Sequence, residues 1–169
     1  GMWDRIRGVG EGGYREKAAR KLEREGALAE AVEAFLDAEL PNEAARVLLL
    51  RADAEGDLGK RLAYLDQAGR LAEGTDLADA ARKRRARLSF EVVRARGALA
   101  KTEIAAAALD LERVGEHLLA ADAHASIGDT EGEIRALSAA GAIERLEARL
   151  GLDQAKQRAE LAANHALGR

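Results

Sequence analysis

The chain has 169 residues, enough for a domain with a sizeable core, and 47% of them are hydrophobic although only 3% are aromatic. Its 27 basic and 30 acidic residues give a net charge of −3, which argues against a generally basic nucleic-acid binder. The absence of cysteine excludes disulfides, thiolate metal sites and cysteine nucleophiles. Good helix formers dominate, proline occurs once, and no segment alternates apolar and polar residues, so the sequence predicts an all-α fold.

Glycines at helix-ending positions divide the chain into ten predicted helices. A flexible leader is predicted at residues 1–12, and residues 13–169 are predicted to form a single domain. Asn42 is expected to cap the third helix, and Gly151 to separate the last two. Connections this short make consecutive helices antiparallel neighbours. The predicted helices are 14–25, 28–39, 42–55, 58–72, 76–96, 98–114, 116–127, 130–140, 142–150 and 152–166.

Two stretches, residues 13–48 and 115–150, share one pattern of small residues. Gly13 and Gly26 of the first stretch correspond to Gly115 and Gly128 of the second, an offset of 102 positions. This offset is three times 34, the length of a tetratricopeptide repeat. The sequence therefore predicts that the two stretches superpose as helical hairpins, with Gly26 and Gly128 in equivalent turns.

The segment from Gly26 to Pro41 carries the motif on which a family resemblance depends. A turn glycine is followed by alanine after five residues, an aromatic after four more, alanine after three and a closing proline, at Gly26, Ala31, Phe35, Ala38 and Pro41. This pattern resembles the second helix of a tetratricopeptide repeat (TPR). The resemblance implies a right-handed superhelix (α-solenoid) of about five antiparallel helical hairpins, with Phe35 buried between hairpins.

The resemblance also implies a function. In that family the first helix of each hairpin lines a concave groove that takes a peptide or a helix, so we expect a non-catalytic protein-interaction module or scaffold. The alternative is that these positions form ordinary solvent-facing pairs along a helix. The groove positions carried over are Glu16, Arg20, Glu23 and Arg24 in the first copy, and Leu118, Asp122, Ala125 and Ser126 in the second.

A basic helix over residues 82–96 supports a different function. It could contact a polyanion such as a nucleic acid, or be a solvated helix whose arginines pair with neighbouring carboxylates. The negative net charge favours the solvated helix. A third hypothesis is a regulatory domain of a larger signalling protein. The candidate polyanion contacts are Arg82, Lys83, Arg84, Arg85 and Arg87.

Catalysis, metal binding and membrane insertion find no support in the sequence. His117 and His124 are seven residues apart, about 10 Å along a helix, which is too far for one metal ion. No nucleophile motif, phosphate loop or cofactor motif is present, so no enzyme activity and no cofactor are expected. The apolar runs are too short to span a bilayer and the N-terminus lacks a signal-peptide core, so a cytoplasmic location is expected.

Overall fold

Helices account for the whole secondary structure of the described chain. The computed structural model describes residues 2–168, and the side chains of residues 13–97 and 99–168. Over residues 2–168 it contains nine α-helices, one short 3-10 helix and no strand, which confirms the all-α class. The side chains of residues 1–12 are not among those described, so the flexible leader predicted there stays a prediction.

The chain divides into two compact units, Gly1–Ser89 and Phe90–Arg169. Neighbouring helices pack in sequence order within each unit, as predicted. The first unit contains α1 (Met2–Arg24), α2 (Leu28–Asp37), α3 (Pro41–Ala54), α4 (Leu58–Leu71) and most of α5 (Asp76–Arg94). The second contains the end of α5, the 3-10 helix (Gly97–Ala100), α6 (Lys101–Arg113), α7 (His117–Ser126), α8 (Thr130–Ala140) and α9 (Ile143–Ala166).

Each unit contains left-handed turn residues spaced 13 positions apart. In the second unit Gly115, Gly128 and Gly141 have φ of +82°, +74° and +66°, which glycine adopts without steric cost. In the first unit Gly26 has φ +77°, and Glu39 adopts φ +59° where a glycine is expected. One short helix and its turn therefore occupy 13 residues, and a hairpin occupies 26 rather than the 34 of the tetratricopeptide repeat.

The predicted repeat is confirmed at its central turn and wrong at its first glycine. With the shift of 102 residues, α2 and α3 start where α8 and α9 start, and Gly26 matches Gly128 as a left-handed turn. Gly13, however, lies inside α1, whereas Gly115 forms a left-handed turn. A shift of 89 residues matches the helix starts equally well, placing α2 on α7 and α3 on α8, because the two shifts differ by one 13-residue unit.

Three other local predictions are wrong. Asn42 lies inside α3, where Pro41 takes the first helical position and Leu40 precedes it as the N-cap. Pro41 suits that position because its missing N–H has no partner in a first turn. Gly151 does not end a helix but continues α9, since an isolated helical glycine only costs about 1 kcal/mol relative to alanine. The region predicted as one helix over 98–114 begins instead as a 3-10 helix.

Small residues build the core of the first unit. Phe35 is fully buried, as predicted, and contributes to a cluster formed mainly by alanines. The helices can approach closely because most of the packed side chains are small. This packing fixes which side of α1 turns inward and which side remains exposed. The buried cluster consists of Ala19, Ala31, Val32, Phe35, Ala44, Ala45, Val47, Leu48, Ala68, Ala72, Ala78 and Ala81.

Candidate binding surface

Three of the predicted groove residues on α1 belong to an ion-pair network with α3. Arg20 donates through Nε and Nη2 to Glu16 Oε1, at 3.1 and 2.8 Å, and its Nη1 lies 3.4 Å from Glu43 Oε2. Arg46 donates to both carboxylate oxygens of Glu23, at 2.7 and 2.6 Å. It also donates to Glu43, so that the network connects the two helices continuously.

The electrostatics of this network favour the charged form of every member with a shifted pKa. The hydrogen bonds from Arg46 lower the pKa of Glu23, and Glu23 in turn raises the pKa of Arg46. The hydrogen bond to Glu16 is the main cause that raises the pKa of Arg20. The guanidinium of Arg20 also lies 5.5 Å from the ring centre of Phe35. These side chains therefore connect helices, and a ligand would have to displace existing partners to bind them.

Arg24 forms no hydrogen bond within this network and shares an adjacent side of α1 with two lysines and a tyrosine. Tyr14 is 76% exposed, and Lys17, Lys21 and Arg24 are exposed as well. Lys17 and Arg24 form no salt bridge among the described residues, and Lys21 only approaches Glu25 at 4.0 Å. Arg24 is near enough to Glu23 to help lower the pKa of that carboxylate, but it contributes less than Arg46 and Arg20 do. We call Tyr14, Lys17, Lys21 and Arg24 the α1 cationic face.

A groove of about 790 Å³ runs along this part of α1. Its lining combines four cationic side chains with one aromatic and two aliphatic ones, so that it offers both charge and apolar contact area. Ala18 lies one turn before Lys21, and its small side chain leaves room for close approach. The residues that line the groove are Tyr14, Lys17, Ala18, Arg20, Lys21, Leu22, Arg24 and Glu25.

The groove residues predicted in the second copy all lie on α7, in the second unit. Asp122 accepts a hydrogen bond from Arg145 Nη2 at 2.8 Å, and the Ser126 hydroxyl donates to the Ala123 carbonyl at 2.7 Å. Leu118 is 49% exposed and Ala125 is exposed. Of this set, Leu118 alone offers a large apolar side chain to a ligand.

Equivalent positions of the two repeat copies carry the same ion pair with its charges exchanged. Arg20 and Glu43 of the first copy correspond, at the shift of 102, to Asp122 and Arg145 of the second, and both pairs join residues 23 positions apart. In both copies the two positions therefore hold opposite charges, but the sign on each helix differs between the copies. This exchange indicates that the pair has a structural role.

A second cross-helix pair repeats with its charges unchanged. Glu23 and Arg46 correspond, at the shift of 89, to Glu112 and Arg135, which are also 23 positions apart and also doubly hydrogen-bonded, at 2.9 and 3.1 Å. Arg135 lowers the pKa of Glu112 through these bonds. In both units a helix is thus joined to the second helix after it by an arginine–carboxylate pair.

A buried polar cluster surrounds His124. The side chain is 2% exposed and occupies the position that Phe35 takes in the first unit at the shift of 89. Its Nδ1 lies 2.9 Å from Asp129 Oδ2, and its Nε2 lies 3.4 Å from Glu112 Oε2. Asp129 also caps α8 by accepting a hydrogen bond from the Gly132 N–H, which lowers the pKa of Asp129.

Metal binding has no support in this cluster or elsewhere in the described residues. No group of three His, Asp or Glu side chains there is placed to hold a metal ion. His117 is not part of the cluster around His124. The histidine is buried because it fills a core position, and its ring nitrogens face the carboxylates of neighbouring helices.

Most arginines of the predicted polyanion-binding segment are paired with carboxylates of the first unit. Arg82 donates to Glu73, and Arg84 donates to Asp53. Arg85 Nη1 lies 3.6 Å from Asp66 Oδ1. Lys83 and Arg87 are exposed. This arrangement resembles the solvated helix with neutralising neighbours more than a surface prepared for phosphates.

Comparison with known proteins adds no relative: no protein-family model, no curated protein and no solved structure matches the chain. The TPR resemblance therefore stays a prediction from the motif. None of the helices in the described part has the length and apolarity needed to cross a membrane.

Proposed function

We propose that this protein is a non-catalytic interaction module that binds an acidic segment of a partner protein on the α1 cationic face. The observation that carries the proposal is the contrast between two sides of one helix. Glu16, Arg20 and Glu23 form salt bridges with internal partners, whereas Lys17 and Arg24 form none in the described part of the chain. Cations without a salt bridge beside a groove favour an anionic ligand.

The solenoid architecture implied by the TPR motif belongs to the same proposal. The consecutive packing of short helices within each unit supports it, because stacked helices expose long surfaces suited to protein binding. The surface proposed here differs from the one that the motif implied, since of the four first-copy groove residues only Arg24 belongs to the face.

An acidic protein is favoured over a nucleic acid for two reasons. The face has three cations, with Glu25 at its end, which is a small footprint for a phosphate backbone. The arginines of α5 that could extend a polyanion site are paired with carboxylates instead. Binding of a nucleic acid would instead be detected as one of the possible results of the experiment described next.

The test selects ligands from a random peptide display library with the full chain as bait. We expect the selected peptides to be enriched in Asp and Glu, and to lose at least about tenfold in affinity for the variant K17E/K21E/R24E. The matched control is K101E/K156E/R158E, which reverses two lysines and one arginine at exposed positions of the second unit. This control should bind as the parent does.

Two results would overturn the proposal. Peptides that are not acidic, or that bind K17E/K21E/R24E as tightly as the parent, would place the binding surface elsewhere. A single-stranded oligonucleotide that competes at lower concentration than the acidic peptides, and depends on the same three cations, would replace the protein ligand with a nucleic acid.

A further inference from the structure

We infer that the segment bound by the α1 cationic face is an acidic α-helix lying alongside α1, and not an extended peptide. This inference rests on the proposed function and specifies the conformation of the ligand. It follows from the spacing of the cations along α1 and from the contact that α1 already forms with α3.

The spacing of the cations matches the side-chain rows of a helix. Lys17, Lys21 and Arg24 follow one another after four and three residues, so they lie about 6 and 4.5 Å apart along α1. A second helix repeats its own side chains with these same steps of three and four residues. Carboxylates on one side of an extended strand recur at every second residue, about 7 Å apart, and fall out of register with the third cation.

The contact between α1 and α3 provides a template for this arrangement. Arg20 and Glu23, three residues apart, face Glu43 and Arg46, which are also three residues apart. Both pairs join residues 23 positions apart, so the two helices run in the same direction and their charged rows stay in register. A ligand helix with its carboxylates three and four residues apart would form the same kind of contact on the adjacent side of α1.

The remaining side chains of the face also suit a helical ligand. Ala18 lines the groove beside Lys21, and a small residue at that point allows two helix axes to approach within about 8–10 Å. Tyr14 stands one turn before Lys17 with most of its ring exposed, so it can cover an apolar side chain of the ligand. The expected ligand is therefore amphipathic, with an acidic row beside one apolar residue.

Three synthetic peptides of identical composition test the inference. The first has four glutamates at i, i+3, i+4 and i+7 in an alanine and glutamine background, so that one face carries all of them in either orientation. The second distributes the same glutamates around the helix. The third keeps the glutamate pattern of the first. In the first two peptides a proline stands at the terminus, whereas in the third it is moved to the middle, where it interrupts the helix.

We expect the first peptide to bind at least about tenfold more tightly than the other two by fluorescence anisotropy, and to gain helical circular dichroism on binding. Its affinity should decrease as salt is raised from about 0.05 to about 0.5 M, and with K17E/K21E/R24E but not K101E/K156E/R158E. If the interrupted peptide binds as well as the first, the ligand is not helical and the inference is wrong, while the proposed function stands.

The remaining outcomes are equally decisive. Equal binding of the first two peptides would show that the charge alone is recognised, which overturns the inference because no helix face is selected. If none of the three peptides binds while the display library yields acidic ligands, the inference of a helical ligand is wrong and the proposed function stands. If neither the peptides nor the library yields an acidic ligand, the proposed function fails as well.

Discussion

Replacement of Gly132 by alanine tests the packing around the buried His124. A Cβ at this position would meet Asp129 Oδ2 and His124 Nδ1 at less than contact distance, and would lie 2.7 Å from His124 Cγ. The His124 side chain is only 2% exposed, so it is enclosed by other atoms of the core. Overpacking of a closed site costs up to about 3 kcal/mol, and alanine in a helix regains about 1 kcal/mol relative to glycine, so a net loss of about 2 kcal/mol is expected.

The assay is urea unfolding followed by circular dichroism, with amide hydrogen exchange to locate the loss in α7 and α8. Gly151→Ala is the matched control, because Gly151 is also inside a helix but a methyl group added there would meet no atom within 4 Å. It should stabilise the protein by about 0.5–1 kcal/mol. If Gly132→Ala is as stable as the parent while Gly151→Ala gains stability, the reasoning about the His124 cluster is refuted.

Three further predictions concern the core, the acid response and the cross-helix pairs. Phe35→Ala should cost about 3–5 kcal/mol in urea unfolding because it empties a fully buried aromatic site, and a loss below about 1 kcal/mol would contradict the core assignment. Because the pKa of Glu23 is lowered in the folded state, its contribution to stability is present above the unfolded pKa of about 4.3 and disappears as the pH falls through the lower folded value. Unfolding measured from pH 6 to pH 2 should accordingly show a shallower acid loss in Glu23→Gln than in the parent, and identical slopes would disprove the assignment. Asp122→Arg and Arg145→Glu should each lower the free energy of unfolding by up to about 1 kcal/mol. The double variant should recover most of this loss, because the first copy holds the same pair with its charges exchanged. A double variant whose loss equals the sum of the two single losses would exclude this equivalence.

Helix bounds could be predicted wherever a turn is made by local chemistry. The predicted helix over 130–140 coincides with α8, because Asp129 caps its start and Gly141 ends it in a left-handed conformation. The start of α4 is likewise fixed by Asp57, which accepts a hydrogen bond from the Lys60 N–H. Gly151 misled the prediction because a glycine ends a helix only where the backbone turns left-handed, and at this position it remains helical.

The 13-residue spacing was hidden in the first unit by one residue. Glu39 takes the left-handed conformation that glycine takes at the equivalent turns of the second unit, so the glycine pattern has a gap there. The sequence therefore favoured a 34-residue period. The three glycines of the second unit, Gly115, Gly128 and Gly141, carried the signal that could have shown the shorter spacing.

The candidate site could be predicted only as far as the helix that carries it. The family resemblance implied groove residues on α1, but which charges of α1 form salt bridges depends on the register of α3, 23 residues away. No local sequence pattern reveals that register. Once Arg20 and Glu23 are known to face α3, the row formed by Tyr14, Lys17, Lys21 and Arg24 is readable from the sequence as one helix face.

The 13-residue spacing also sets a rule for how this chain can gain or lose length. Because each turn reverses the chain, removing one 13-residue segment would make every later helix in the unit run in the opposite direction. Removing or duplicating 26 residues, such as 115–140, begins and ends at equivalent turns and preserves the direction of α9. Length changes that this architecture tolerates should therefore come in pairs of helices.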